Sequence, residues 1–239
     1  MFSKWSIQFK FSLIFATTLA LIVGGLFIGI YTLKTNQLRN EAIASAEQVI
    51  AFRAWVAKTG VVWVDHLAPE FQDFLGKRAS SDNTLEFYSK NPALATRELS
   101  EMVSKTATRA TFRVTSDEYR NPANAPDGFE SASIQAFKAD KNLKHNDAFE
   151  GSFYRYSQPI FVQESCLKCH ADQGYRLGDI RGGISVSVPM APLRAAEGEH
   201  LRALSIGHAL LWIIGIFGIG VDIRHLRDHA RQRKTFEEE

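Results

Sequence analysis

The chain has 239 residues, 45% of them hydrophobic and 11% aromatic, with 28 Lys and Arg against 26 Asp and Glu, for a net charge of +2. Such a length allows one ordinary domain plus additional segments, and the composition excludes a disordered or repetitive chain. A charge so close to neutral singles out no partner, and no nucleic acid is expected.

The apolar residues are unevenly placed. Phe11 to Tyr31, FSLIFATTLALIVGGLFIGIY, carries no charge over 21 residues. At 1.5 Å rise per residue a helix of that length spans the roughly 30 Å hydrocarbon core of a bilayer. Ala203 to Val221 does the same over 19 residues. Lys4, Lys10 and the later Ala44-Ser45-Ala46 also resemble a signal peptide, but the apolar run exceeds the usual h-region of about 7 to 15 residues, which favours an uncut anchor. Beyond the second run, Arg224, Arg227, Arg231, Arg233 and Lys234 lie close to the membrane end, against Arg194 and Arg202 before it. The Lys/Arg bias therefore places both termini in the cytoplasm and the intervening chain outside, in the periplasm of a Gram-negative bacterium.

Between the two runs the elements can be read in chain order. NQLRNEAIASAEQVIAFRAWVAK has small or apolar residues at helical spacing, including Ala42, Ala46, Val49, Ile50 and Trp55, and is expected to continue the first membrane helix until Gly60. VVWVDHL is a short apolar run, KRASSDN a loop, and Asn91-Pro92 a turn before a helix over 93–104. TFRVTS reads as a strand, RNPANAPDGFE as a rigid turn, and Asp127 as the cap of a helix over 128–138. SFYRYSQPIFV and GGISVSVPM are two further strands, the second with Ile184, Val186 and Val188 on one face and serines on the other. Helices with short strands in one unit make an α+β domain.

The two cysteines of the chain stand in SCLKCHADQG, as Cys166 and Cys169 with His170 directly behind. CxxCH is the attachment pattern of c-type haem: each thiol adds to a vinyl group and the following imidazole binds the iron. A zinc half-site would need a second pair of ligands, and a thioredoxin-like dithiol would open a helix in a βαβ unit, whereas here the motif runs from a strand into the loop ADQGYRLGD. One covalent haem c on Cys166, Cys169 and His170 is the expectation.

FRAWVAKTGVVWVD, NPALATRELS, FRVTSDEYRNPANAPDGFE, QPIFVQESCLKCH and GDIRGGISVSVPM together resemble a bacterial family of periplasmic c-type-haem sensor domains with a PAS-like core, a former domain of unknown function found in histidine kinases and chemoreceptors. The resemblance covers about residues 40–192. It implies a PAS-like α+β haem domain with a long N-terminal helix, flanked by two transmembrane helices, sensing redox state or a small gas. Some relatives use a further cysteine on the iron, and this sequence has no third cysteine. The tail of about 18 residues after the second run also leaves no room for a kinase core, so a signal would pass to a separate protein. The expected organisation is a stub and first transmembrane helix over 1–34, the haem domain over 35–200, the second transmembrane helix over 201–222 and a basic tail over 223–239.

His66, His145, His200, Met102 and Met190 are candidates for the distal iron ligand, with His66 preferred because a turn after the outer helix could fold it inward. Trp55, Trp63, Phe112, Phe153 and Tyr156 are candidate pocket walls, and Arg109, Arg113 and Arg155 candidate partners of the propionates. His208 in the second run reads as an interfacial hydrogen-bonding group, and His225 with His229, spaced i,i+4, as part of a solvated, headgroup-facing helix. Glycines at 25, 29, 207, 215 and 218 offer packing faces for a homodimer. Two functions compete: a membrane-anchored haem sensor, and a membrane-anchored electron-transfer cytochrome c. No acid-base set indicates an enzyme.

Overall fold

The computed structural model describes residues 7–105 and 110–237, and within these leaves aside the side chains of 7–8, 168–169, 192–201, 230 and 232–237. Arg109, and the side chains of Cys169 and His200, therefore lie outside the described residues. The chain divides into two compact units, one of residues 36–192 and one formed by 1–35 with 193–239.

In the second of these units lie α1 up to residue 35 and most of α5 (Ala191–Glu237). Two helical stretches, Phe9–Thr59 within α1 (Ile7–Thr59) and Arg202–His229 within α5, are long and apolar enough to cross a membrane. Phe15 meets Trp212 edge-on at 5.9 Å, and Trp212 Nε1 donates to His208 Nε2 at 3.1 Å, so His208 is satisfied by its own helix. His225 and His229 stack at 5.0 Å between ring centres, and no cluster of three or more metal-binding side chains occurs among the described residues.

The unit of residues 36–192 is α+β. Antiparallel strands build its main sheet in the order β4 (Thr111–Thr115), β7 (Ile180–Pro189), β6 (Phe153–Phe161) and β5 (Asn146–Glu150). A smaller sheet has the order β1 (Val62–Val64), β3 (Glu86–Lys90), β2 (Lys77–Ala79). The sequence reading missed β2, β3 and β5. KRASSDN was expected to be a loop throughout, yet Lys77–Ala79 pairs with Glu86–Tyr88 and only the tip turns, closed by Asn83 at φ 57° and by Asp82 accepting from Thr84. These strands are three to five residues long, β2 and β5 are mostly exposed and β3 passes from an exposed to a buried end, so none shows the alternation that reveals a half-buried strand.

α2 (Pro92–Ser104) begins where Asn91 Oδ1 accepts from Leu94 N–H at 2.9 Å, with proline in the first turn where its missing N–H costs nothing. α3 (Gly128–Ala139) opens on a reciprocal capping box. Asp127 accepts from the Glu130 N–H at 2.9 Å, and Glu130 accepts from the Asp127 N–H at 3.0 Å.

The register of β6 and β7 sets the core. Tyr154 lies opposite Val188, Tyr156 opposite Val186 and Gln158 opposite Ile184, so the aromatic and aliphatic residues share one face. All but Gln158 are buried. Arg39 of α1 lies 2.6 Å from His145, which stacks on Tyr156, so this length of the helix runs beside that face. α1 turns inward Leu38, Ala42, Ala46, Val49 and Val56, all buried, at the spacing of one helical stripe. Trp55, expected among the inward residues, is 55% exposed and stacks on Phe52 instead. The serine face of β7 is covered too: Ser185 pairs with Ser157, both buried, and an added Cβ on Gly183 would touch Ser157 Oγ and Ile134 of α3.

Gly182 fixes how closely β4 and β7 approach, because a Cβ there would stand 2.1 Å from the Thr115 carbonyl oxygen. Gly182→Ala is expected to cost about 3 kcal/mol, the upper range for overpacking. Gly128→Ala, with nothing within 4 Å of its Cβ, is expected to be near neutral. Urea unfolding of the detergent-solubilised chain, followed by near-ultraviolet circular dichroism, compares the two.

Candidate functional site

The CxxCH motif sits on an excursion between the two central strands. β6 and β7 pair as neighbours with an irregularity at Ile160/Phe161, and the chain between them leaves the sheet at Val162 and returns at Gly178 and Asp179. The base of this excursion is pinched by Val162 N–H to Asp179 O at 2.8 Å and Gly178 N–H to Val162 O at 3.0 Å. Gly178 takes φ 81°, a left-handed conformation that favours glycine. Asp179 steadies the return by accepting from the Arg176 N–H at 2.8 Å and from Lys141 Nζ at 3.3 Å.

On that excursion Glu164–His170 forms a short helix, α4, followed by a single tight turn over Ala171–Gln173 that ends at Gly174 with φ 81°. The sequence reading ran the motif straight into a loop. Seven residues with one apolar side chain between the cysteines show no helical period, so the helix is legible only from its hydrogen bonds. A helix following a strand is the local setting of a thioredoxin-like dithiol, but the next strand, β7, is antiparallel to β6, and the βαβ crossover of that reading is absent here. Cys166 is a half-buried free thiol whose Sγ accepts from the Gln163 N–H at 3.5 Å.

His170 is held from behind. Its Nδ1 lies 2.5 Å from Gln173 Oε1, and Gln173 Nε2 donates to the Glu118 carbonyl at 3.0 Å. Because Gln173 spends its amide N–H on Glu118, its oxygen faces the imidazole and can only accept, so the proton resides on Nδ1. Nε2 then carries the lone pair, and Arg181 Nη2 lies against the ring, 2.9 Å from Nε2 and 3.2 Å from Nδ1. Burial lowers the His170 pKa below the ordinary 6.5; the Gln173 bond opposes this, and the charges of Arg181 and Arg120 press it down further. A neutral imidazole with Nδ1–H anchored and Nε2 available is the form that ligates a metal.

Sequence reasoning had not singled out Gln173, Arg181 or Arg53. Arg181 is the second residue of β7, next to Gly182, and its carbonyl accepts from Ser116 Oγ at 2.7 Å. Arg53 stands on α1 within electrostatic reach of both Arg181 and Cys166. The only signal for Gln173 was its i+3 spacing from His170, which an ordinary polar turn shares.

The arginines that had been expected to serve a ligand are committed elsewhere. Arg155 pairs with Asp127 at 2.7 Å, Glu150 at 2.9 Å and Glu130 at 3.5 Å. Arg113 pairs with Glu130 at 3.2 Å and donates to the carbonyls of Ala123 and Ala125.

The other candidates are dispersed. His66 has an 83% exposed side chain paired with Asp65 at 2.7 Å, and lines a hollow of about 440 Å³ with Trp63, Phe71, Phe87, Lys90 and Glu98. Among the described residues nothing joins it to Cys166 or His170. His145, read as a polar loop residue, packs against Tyr156 at 5.5 Å between ring centres and lies 2.6 Å from Arg39. Met102 is exposed on α2, and Met190 is buried where β7 ends, its N–H bonded to Ser152 O. Phe112 and Tyr156 are buried in the core, whereas Phe153 is exposed.

A family profile described as Tll0287-like matches residues 33–189, more than half the chain and the whole of the motif. The chain belongs to the Tll0287-like family. The crystal structure of the cyanobacterial heme-protein Tll0287 aligns at 21% identity and a TM-score of 0.44, covering 62% of this chain and 91% of that one. No curated protein matches. The Tll0287-like span ends at Pro189 and so includes α4, Gln173 and Arg181.

Because the folded His170 pKa lies below its unfolded value, the unfolded chain takes up the proton first as pH falls. Stability of the protein with its motif unmodified is therefore expected to hold above pH 6.5 and to decline below it, through the folded pKa. His170→Gln is expected to flatten this decline in thermal melts run from pH 7.5 to 5.

Proposed function

We propose that this Tll0287-like protein is a membrane-anchored c-type haem protein, with one haem joined covalently to Cys166 and Cys169 and ligated by His170. The observation that carries the reading is the state of His170, a neutral imidazole with Nδ1–H tied to Gln173 and an available Nε2, directly behind two cysteines at CxxC spacing. The haem of the cyanobacterial relative agrees with it. When bound, haem supplies a redox-active iron that can also take a gas at an open position. The chain's own contribution is to hold the imidazole in one tautomer, to brace it through Gln173 on the Glu118 carbonyl, and to set the positive charges of Arg181 and Arg120 near it.

The function that fits this arrangement best is sensing, by a PAS-like domain, of redox state or a small gas. The charges of Arg53 and Arg181 act on each other, and each residue belongs to an element that leads toward an apolar span. Arg53 belongs to α1, which also carries residues 11–31; Arg181 belongs to β7, which ends at Pro189 just before α5 starts at Ala191. A change of charge at the iron thus bears on both connections to the bilayer. In this reading the protein is not an enzyme, both spans lie in a bacterial inner membrane with the haem domain in the periplasm, and a separate cytoplasmic protein receives the signal.

Expression in a host that matures c-type cytochromes is expected to give a Soret band and a covalent mass gain equal to one haem. Cys166→Ser with Cys169→Ser should abolish the mass gain, and His170→Ala should leave haem attached with an altered Soret position. Rapid binding of carbon monoxide or nitric oxide by the reduced protein supports gas sensing. A six-coordinate haem indifferent to both gases, and exchanging electrons quickly with a quinol or a soluble cytochrome, makes the protein an electron carrier instead.

A further inference from the structure

β3 ends in a lysine that the fold encloses. The Lys90 side chain is 6% exposed, and its Nζ donates to the Phe71 carbonyl at 3.0 Å and to Glu98 Oε1, on α2, at 2.5 Å. An ammonium has three N–H bonds and an ionised carboxylate two oxygens. Lys90 therefore keeps one N–H and Glu98, itself only 15% exposed, keeps Oε2, with no hydrogen-bond partner for either among the described residues. An enclosed ion pair offsets the loss of hydration only when its remaining protons and lone pairs are satisfied as well.

Both side chains line the hollow of about 440 Å³ that His66 borders, a volume within the range of small-molecule sites. Much of the remaining wall is apolar, with Ala68, Phe71 and Phe87 facing the pair. The Arg78 guanidinium already lies over Trp63 at 4.2 Å and over Phe87 at 5.7 Å, so the attraction of these rings for a cation is met from within the chain. Asp65 stands at the mouth with a 63% exposed side chain. A purely anionic ligand would meet Glu98 and Asp65, and a purely cationic one would meet Lys90. A molecule carrying one charge of each sign on an apolar body meets an opposite charge at both ends.

We propose that this hollow binds a small apolar α-amino acid. Its carboxylate takes the third N–H of Lys90, its ammonium donates to Glu98 Oε2, and its side chain lies against Phe71 and Phe87. Lys90 and Glu98 are in direct contact, so a ligand that reaches both must hold its own two charges close together, as an α-amino acid does on a single carbon. No residue of the hollow belongs to the CxxCH motif, and the assignment stands apart from the haem reading. It gives the domain a second input, built from the β1 connection, β3 and α2.

The test uses the full haem-matured chain in detergent, with L-leucine, L-methionine and L-phenylalanine as probes in titration calorimetry and thermal melts. At least one probe is expected to bind with a Kd of about 1 mM or tighter and to raise the thermal midpoint. The matching acid without the ammonium and the matching amine without the carboxylate, phenylpropionate and phenethylamine in the case of phenylalanine, should each bind about tenfold more weakly. Lys90→Met combined with Glu98→Leu removes the pair as a whole, so it leaves no lone buried charge; it should fold and lose the binding. Ala68→Phe, made at a half-buried wall position, should fill the hollow and lose the binding with the ion pair intact. If the double variant does not fold, Ala68→Phe alone decides. No binding of any probe at about 10 mM overturns the site. So does an acid or amine that binds as well as its amino acid, or binding that survives in Ala68→Phe. Each of these results leaves the haem reading intact, whereas wild type without a covalent mass gain overturns the haem reading and leaves this site in place.

Discussion

An imidazole has one lone pair to give, and which nitrogen carries it depends on what holds the other. In this protein the Glu118 carbonyl takes the amide N–H of Gln173, Gln173 thereby presents its oxygen, and His170 must place its proton on Nδ1. Three residues from two parts of the chain thus determine that Nε2 is an acceptor. Burial, helped by the charges of Arg181 and Arg120, keeps that ring neutral against the opposing pull of the Gln173 bond.

The scaffold makes this possible by rigid pairing on both sides of a short excursion. β6 and β7 form the best-connected pair of the sheet, buried on one face by tyrosines and aliphatics under α1 and on the other by serines and glycines under α3. The serine and glycine face lets α3 come close, and Gly182 lets the backbone of β4 come closer than any side chain would allow. With the strands so fixed, the excursion between them is pinched at Val162, Gly178 and Asp179, and α4 projects from a defined base rather than from a mobile loop.

Charge is distributed unevenly over this scaffold. Arg113 and Arg155 are absorbed by Glu130, Asp127 and Glu150 at the start of α3, a network that serves the helix cap and the sheet. Arg53 and Arg181 have no such acids among the described residues, and Arg181 lies against His170.

The sequence by itself determined the two apolar helices, the caps of α2 and α3, the strands β4, β6 and β7, the α+β class, and the importance of CxxCH. These are local signals: a run without charge, an Asn-Pro or an Asp before a helix, an alternation along one strand, a fixed spacing of thiols and imidazole. Tertiary structure alone decided that α4 is helical, that β2, β3 and β5 pair at all, that His145 is packed on Tyr156, and that His66 is exposed beside Asp65. It also decided which arginines are spent and which remain, since Arg113 and Arg181 look alike in sequence and differ only in the carboxylates folding brings to them. Local chemistry is written in neighbouring residues, whereas the fate of a charge depends on partners as far away as 52 positions, whose arrival only the completed fold can specify.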